Sequence, residues 1–261
     1  MTSVFMVNLT AGVLSLLLFG YRGLNRRWTF VRGVPVCLSV VSFSGLTFTL
    51  ALRWMVTGHI PMANGYETML TLAWLILLLS MAACRAFPIA TGFGLLLSGF
   101  FLLVCHISQM NPQTGYLMPV LNSPLLSLHV GIVMTAYALL AMTFGCGVAA
   151  LILCVRPSFR CDDLTRLSLI MLYPALATLG MGIFIGAIWA NISWGTYWSW
   201  DPKEVWALIT FMVYAVPVHR RLMNPEQRPV AYHLYMTLAF LTVLMTYFGV
   251  NYYLGGLHGY A

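Results

Sequence analysis

An all-α integral membrane protein is the fold class this sequence predicts, a bundle of about eight transmembrane helices with both termini outside. Three observations predict it. Hydrophobic residues are 61% of the 261 residues and charged residues only 7%, where a soluble surface needs roughly 25% charged residues. The apolar residues gather in runs near the length of about 20 residues that crosses a bilayer as helix. The basic residues sit in the short loops between those runs, dense on one side and sparse on the other.

The runs lie at 3–20, 34–52, 66–83, 88–107, 124–155, 167–190, 203–220 and 231–252. The fourth contains Gly92, Gly94 and Gly99, which suits close helix packing. No polar stretch is long enough to build a separate soluble domain, so 1–261 reads as a single polytopic membrane domain. The first run, Val4 to Phe19, lacks a basic leader and a small-residue cleavage site, so no cleavable signal is expected.

Orientation follows from the cations. One set of loops carries Arg22, Arg26, Arg27, Arg32, Arg85, Arg156, Arg160, Arg166, Arg220, Arg221 and Arg228; the other carries only Arg53 and Lys203. Arginine-rich loops face inward, so the termini and the loops around 53–66, 108–124 and 191–203 face outward. The net charge of +7 therefore reports topology in a lipid bilayer. It does not point to nucleic acid, because the cations form no patch with interleaved aromatics. The cysteines Cys37, Cys84, Cys105, Cys146, Cys154 and Cys161 contain no C-x-x-C pair and read as small packing residues.

The fifth run is too long. From Pro124 to Val155 it makes a helix of about 48 Å against a hydrocarbon core of about 30 Å. Counting about 20 residues back from Arg156 puts the outer boundary near Ala136, which leaves His129 about 10 Å beyond the hydrocarbon. The outer segment 191–206 then holds Trp194, Tyr197, Trp198, Trp200 and Trp206. An interfacial belt accounts for one or two tryptophans at a helix end. This density suits a flat shelf for a large planar apolar ligand. Asp201-Pro202-x-Glu204 is also a helix start, with Asp201 as N-cap, Pro202 at N1 and Glu204 completing a capping box.

The histidines narrow the chemistry. His129 and His258 both fall outside and flank the tryptophan segment, a pattern that fits an axial pair for haem iron. Neither an acidic third ligand nor the short H-x-x-x-H spacing of a zinc site accompanies them. His219 lies 18 positions past Asp201, about 27 Å along a helix, and is too deep to ligate the same iron. Position alone leaves it as either a functional group inside a span or a side chain reaching for the inner surface. His233, near the inner boundary, is placed to pair with His219 or only to face headgroups, and the second is expected; His59 and His106 have no visible partner in the sequence.

Trp194-Gly-x-x-Trp198-x-Trp200-Asp201-x-x-Glu204 resembles, at every signature position, the WWD motif of haem-handling proteins, and most closely the CcsA/ResC family of the cytochrome c maturation pathway called System II. The resemblance extends through Gly58-His-x-Pro61-x-x-Asn64-x-Tyr66-Glu67, Leu128-His129-Val130, Tyr214-x-x-x-x-His219-x-Arg221, Val250-Asn251 and Leu257-His258-x-Tyr260. It implies that His129 and His258 ligate haem b, both substrate and bound ligand, above Trp194, Trp198, Trp200 and Asp201. It implies that His219 serves a second haem site nearer the cytoplasm, whose other histidine comes from a CcsB/ResB-like membrane subunit. No region of that kind is present in the sequence, so the chain reads as the CcsA half of a cytochrome c synthase (haem lyase). The partner substrate would be an apocytochrome c with a C-x-x-C-H segment, kept reduced indirectly by thiol-reducing proteins. The expected location is a bacterial-type inner membrane, with the active face toward the periplasm or outside. The count of eight spans separates the chain from the shorter CcmC relatives. Alternative readings are a haem chaperone serving a separate ligase, a transporter of another solute using His219 and Glu67 as relays, and a haem-bearing electron carrier.

Overall fold

The computed structural model describes residues 2–22, 30–62, 64–107, 123–153, 162–219 and 221–254. All regular structure among them is helical. Among the described residues, six helices are long and apolar enough to cross a membrane: Gly33–Thr57, Gly65–Ala83, Ala90–Ile107, Pro124–Leu153, Asp162–Trp194 and Pro229–Tyr253. Each overlaps a run expected from the sequence. The chain divides into two compact units, residues 1–115 with 152–163, and residues 116–151 with 164–261.

The first unit contains α1 (Thr2–Arg22), α2 (Phe30–Thr57), α3 (Gly65–Ala83) and α4 (Ala90–Ile107). Its core gathers Leu46, Leu70, Ala73, Leu77, Leu95 and Leu102. Apolar burial against lipid gives little drive for helices to associate, so close packing and polar ties do that work. Gly12 and Gly99 provide the closeness: a Cβ at Gly12 would lie 2.5 Å from the Leu96 nitrogen, and one at Gly99 would lie 2.7 Å from that of Leu9. The fully buried Asn8 provides the tie. Its amide donates to Ser98 of α4 at 3.2 Å and its carbonyl accepts from Ser42 of α2, so one side chain joins three helices.

A second polar knot organises the connection into α3. Asn64 caps that helix by accepting from the Glu67 amide at 2.9 Å. Gly58, at φ 71°, turns the chain out of α2, and Thr71 donates back to the Pro61 carbonyl at 3.1 Å. The Glu67 side chain is 1% exposed and accepts from Arg53 Nε at 3.1 Å and from a second guanidinium nitrogen at 3.0 Å. The guanidinium also lies 4.9 Å from the centre of the Tyr66 ring. The Arg53 charge accounts for the burial of the Glu67 carboxylate.

The second unit contains α5 (Pro124–Leu153), α6 (Asp162–Trp194), α7 (Pro202–Ala215), a 3₁₀ turn (Val216–Val218) and α8 (Pro229–Leu244). A π-turn (Met245–Gly249) and one more helical turn (Val250–Tyr253) continue α8. The 30 residues of α5 confirm one helix from Pro124 onward. The 33 residues of α6 correct the expected span of 167–190. At about 50 Å, α6 also exceeds the hydrocarbon thickness. Residues 191–194, expected in a loop, are its last turn. α7 is short, 14 residues, because Pro217 ends it. Pro217 has no N–H for the Val213 carbonyl, which accepts instead from the Val216 amide and from the Tyr235 hydroxyl, the latter at 2.8 Å.

His233 departs from expectation as well. It is buried at 1% exposure rather than facing headgroups. Its Nε2 lies 3.0 Å from the Thr165 hydroxyl of α6, and the neighbouring Tyr232 hydroxyl lies 2.9 Å from Ser168. These are again helix ties of the kind that polar groups make inside a bilayer.

The Arg53–Glu67 pair yields a direct expectation. Glu67→Ala strands a mostly buried guanidinium and should lower stability by about 3–5 kcal/mol. The double change Glu67→Leu with Arg53→Met should unfold near wild type. Denaturant titration in detergent checks both, and equal losses in the single and double variants would remove the ion pair as the cause.

Candidate functional site

His129 stands in the second turn of α5 and packs on α6. Its Nδ1 lies 2.8 Å from the Gly182 carbonyl. With the carbonyl as acceptor, the proton is on Nδ1, and Nε2 is the nitrogen whose lone pair suits a metal. Two glycines permit the approach. A Cβ at Gly182 would lie 2.6 Å from Val133 Cγ2, and one at Gly186 would lie 2.6 Å from His129 Cε1. Neither glycine was singled out in the sequence, although Gly182-x-x-x-Gly186 is a small-x-x-x-small spacing that marks close helix crossing.

The tryptophan segment begins about 12 Å farther along α6, eight residues past Gly186. Gly195, at φ 80°, ends the helix in the left-handed conformation, and its amide bonds to the Asn191 carbonyl at 2.9 Å. The chain then runs without regular structure to Asp201, the N-cap of α7. The capping box expected from the sequence is present: Asp201 caps the helix start and Glu204 accepts from the Asp201 amide at 3.2 Å. Glu204 also accepts from the Ser199 amide at 2.9 Å. One carboxylate thus holds the backbone on both sides of Trp200.

That grip has a conformational consequence. Trp200 is at φ 60°, and it is the one non-glycine residue with positive φ among those described. A bulky side chain in the left-handed region is strained by about 1–2 kcal/mol. The strain projects the indole outward, where it is 72% exposed. Trp198 meets it edge-on, with centroids 5.9 Å apart and planes at 89°. Trp194 makes a similar edge contact with the buried Trp189, at 4.9 Å and 74°. The aromatic shelf is therefore not flat, as the sequence suggested. It consists of two perpendicular pairs, because indole edges carry positive charge that prefers a ring face.

α7 is fastened to the end of α8. Lys203 Nζ donates to Asn251 Oδ1 at 2.8 Å. Burial lowers the Lys203 ammonium from the ordinary lysine value, and the Asp201 carboxylate opposes that shift. Deeper, Thr246 of the π-turn lies 3.0 Å from the Thr210 hydroxyl and donates to the Trp206 carbonyl at 3.2 Å. A π-turn adds one residue to the helical repeat, a device common at functional sites.

His219 follows the 3₁₀ turn, exposed, with Nδ1 2.9 Å from the Ala215 carbonyl. At ideal rise, the helix and turn together span about 27 Å between Asp201 and His219. His258 lies outside the described residues. His59 Nδ1 lies 3.1 Å from the Ile60 carbonyl in the first unit, and His106 is in the last turn of α4.

The fold and site define a multi-pass helical membrane protein with an exposed, strained tryptophan segment following the helix whose Gly182 carbonyl anchors a histidine of the helix before it. The chain belongs to the cytochrome c assembly protein family, whose profile matches residues 62–258, and within it is of the CcsA type. It is 33% identical to the cytochrome c biogenesis protein CcsA of Chlamydomonas reinhardtii, over 87% of this chain and 68% of that one. It is 34% identical to CcsA of Synechococcus sp. strain CC9902, over 87% and 86%. It is also 37% identical to protein NrfI of Wolinella succinogenes over 86% of this chain, which spans only 26% of that longer protein. Its role is in cytochrome c biogenesis.

The strained tryptophan generates a test. Trp200→Gly removes a mostly exposed side chain and relieves the left-handed backbone, so it should raise stability by about 1 kcal/mol. Glu204→Ala should lower it by about 1 kcal/mol through loss of the capping box. Unfolding midpoints in detergent measure both, and a destabilised Trp200→Gly chain would show that the indole is held by packing.

Proposed function

We propose that this chain holds haem at the outer face of the membrane and presents it to apocytochrome c, as the CcsA half of a cytochrome c synthase. The observation that carries the reading is the anchored His129: Nδ1 is engaged by a backbone carbonyl, the arrangement that orients metal-binding imidazoles. The exposed Trp200 ring offers an apolar face of the kind a porphyrin edge or plane requires. His258 supplies the opposite axial ligand. The lipid-facing composition and the arginine asymmetry support eight crossings with both termini outside, in a bacterial-type inner membrane.

The chain's own residues then have defined tasks. His129 and His258 hold the iron from two sides and protect it from exchange. Trp194, Trp198 and Trp200 hold the macrocycle, and Asp201 with Glu204 fixes the loop that carries them. His219, about 27 Å away, belongs to an inner haem site completed by a CcsB/ResB-like subunit. The haem is haem b, the form with two unreacted vinyl groups. The cytochrome's C-x-x-C-H histidine displaces one axial ligand, and its two thiols add across those vinyls. Each S–H contributes a carbon–sulfur bond and a proton to carbon, with no leaving group, so positioning is the protein's main contribution. The thiols must arrive reduced, which requires a thiol-reducing protein upstream.

Absorbance of the reduced, purified protein tests the outer site. His129→Gly and His258→Gly should each lose low-spin haem, and added imidazole should restore it. Replacing Trp194, Trp198 and Trp200 together should cause a loss that imidazole does not repair. A low-spin spectrum unchanged in both histidine variants would sink the reading. Co-expression with a CcsB-like subunit and an apocytochrome should give covalent haem, and its absence with haem still bound would reduce the chain to a carrier. Alkaline phosphatase fused after Tyr260 should be active and after Arg160 silent; the reverse would overturn the orientation.

A further inference from the structure

The seat of His129 contains a residue that touches no ligand in the reading above. In α6 the Gly182 carbonyl is the helical acceptor for the Gly186 amide, one turn on. A side chain at position 186 would lean toward the N-terminus of its helix and cover that carbonyl. Glycine leaves it open, and His129 Nδ1 approaches to 2.8 Å. The same bare position faces the ring itself. A Cβ at Gly186 would lie 2.6 Å from Cε1, 2.8 Å from Nδ1 and 3.3 Å from Nε2. Three ring atoms at such distances mean that the imidazole rests on the glycine. Gly182, against Val133 one turn beyond His129 on α5, brings the helices near enough for the bond to form.

We propose that Gly186 is a positioning residue for haem ligation: its missing side chain leaves the Gly182 carbonyl open to the His129 ring and so sets which nitrogen faces the iron and in what plane. The inference rests on the haem reading above and deepens it. A methyl at 186 would displace the ring, which is the movable partner, and break its bond to the carbonyl. The imidazole would then sample other orientations and both tautomers.

Gly186→Ala is the test, read in two ways. In haem-free protein, carbethoxylation of His129 by diethylpyrocarbonate, followed by mass spectrometry, should slow about fivefold as Nε2, the reacting nitrogen, loses the basicity that the Nδ1–H···O bond confers. In protein purified with haem, low-spin absorbance should fall by a similar factor. In His129→Gly supplied with imidazole, adding Gly186→Ala should change haem content little, because an untethered imidazole can slide away from the methyl. If Gly186→Ala does not accumulate, accumulation of the double variant would support the collision, and failure of both would overturn it. Unchanged carbethoxylation overturns the inference even if His129→Gly loses haem as expected. Full haem in His129→Gly overturns the haem reading instead, while the carbethoxylation rate still decides the seat. Equal haem loss with and without the His129 ring would make Gly186 a packing residue only.

Discussion

His129 can reach the Gly182 carbonyl because α5 and α6 cross where α6 has no side chains, and the site is built around that crossing. A helical carbonyl is normally covered by the residue one turn later, and its lone pairs are used within the ladder. Removing the side chains at Gly182 and Gly186 exposes the carbonyl and admits an imidazole beside it. The bond of 2.8 Å fixes the tautomer and plane of the imidazole through Nδ1, as an outer carboxylate does for histidines in many metal sites. A backbone acceptor achieves this without introducing a negative charge beside the ring.

The tryptophan segment shows a related economy of means in its loop. Glu204 completes the capping box of α7 and also holds the Ser199 amide. The loop between those contacts is too short to relax, and Trp200 takes a left-handed backbone. Strain of this kind persists when surrounding bonds over-determine it, and it is common where a side chain must be presented. The Lys203–Asn251 bond and the threonines at the π-turn tie the same helix to the end of α8.

The first unit is held by a different balance. Its helices offer apolar surface on most faces, so the specificity of their packing comes from glycine contacts and from buried polar groups. Asn8, Ser42 and Ser98 join three helices, and Arg53 with Glu67 joins α2 to α3. The segment Gly58 to Glu67 is shaped by the latter pair together with the Asn64 cap. Arg53 is thereby accounted for as a structural cation.

What the sequence by itself determined is what depends on composition and near neighbours. The membrane class, the positions of the six described spans and the over-long fifth helix follow from apolar run length. The Asp201–Glu204 capping box follows from residues three apart, and the resemblance to cytochrome c assembly proteins, a family the profile match bears out, from a contiguous motif. What only the tertiary structure decided is which helix faces meet. A helix apolar on every side carries no periodic signal for its partner, so nothing in the runs showed that Gly182 and Gly186 face His129, that Thr165 takes His233, or that Arg53 meets Glu67. The extension of α6 to Trp194 escaped notice because its last turn is polar and aromatic enough to read as loop. The perpendicular tryptophan pairs and the left-handed Trp200 depend on bonds made around the loop, and residue identity alone does not encode the angle between two rings.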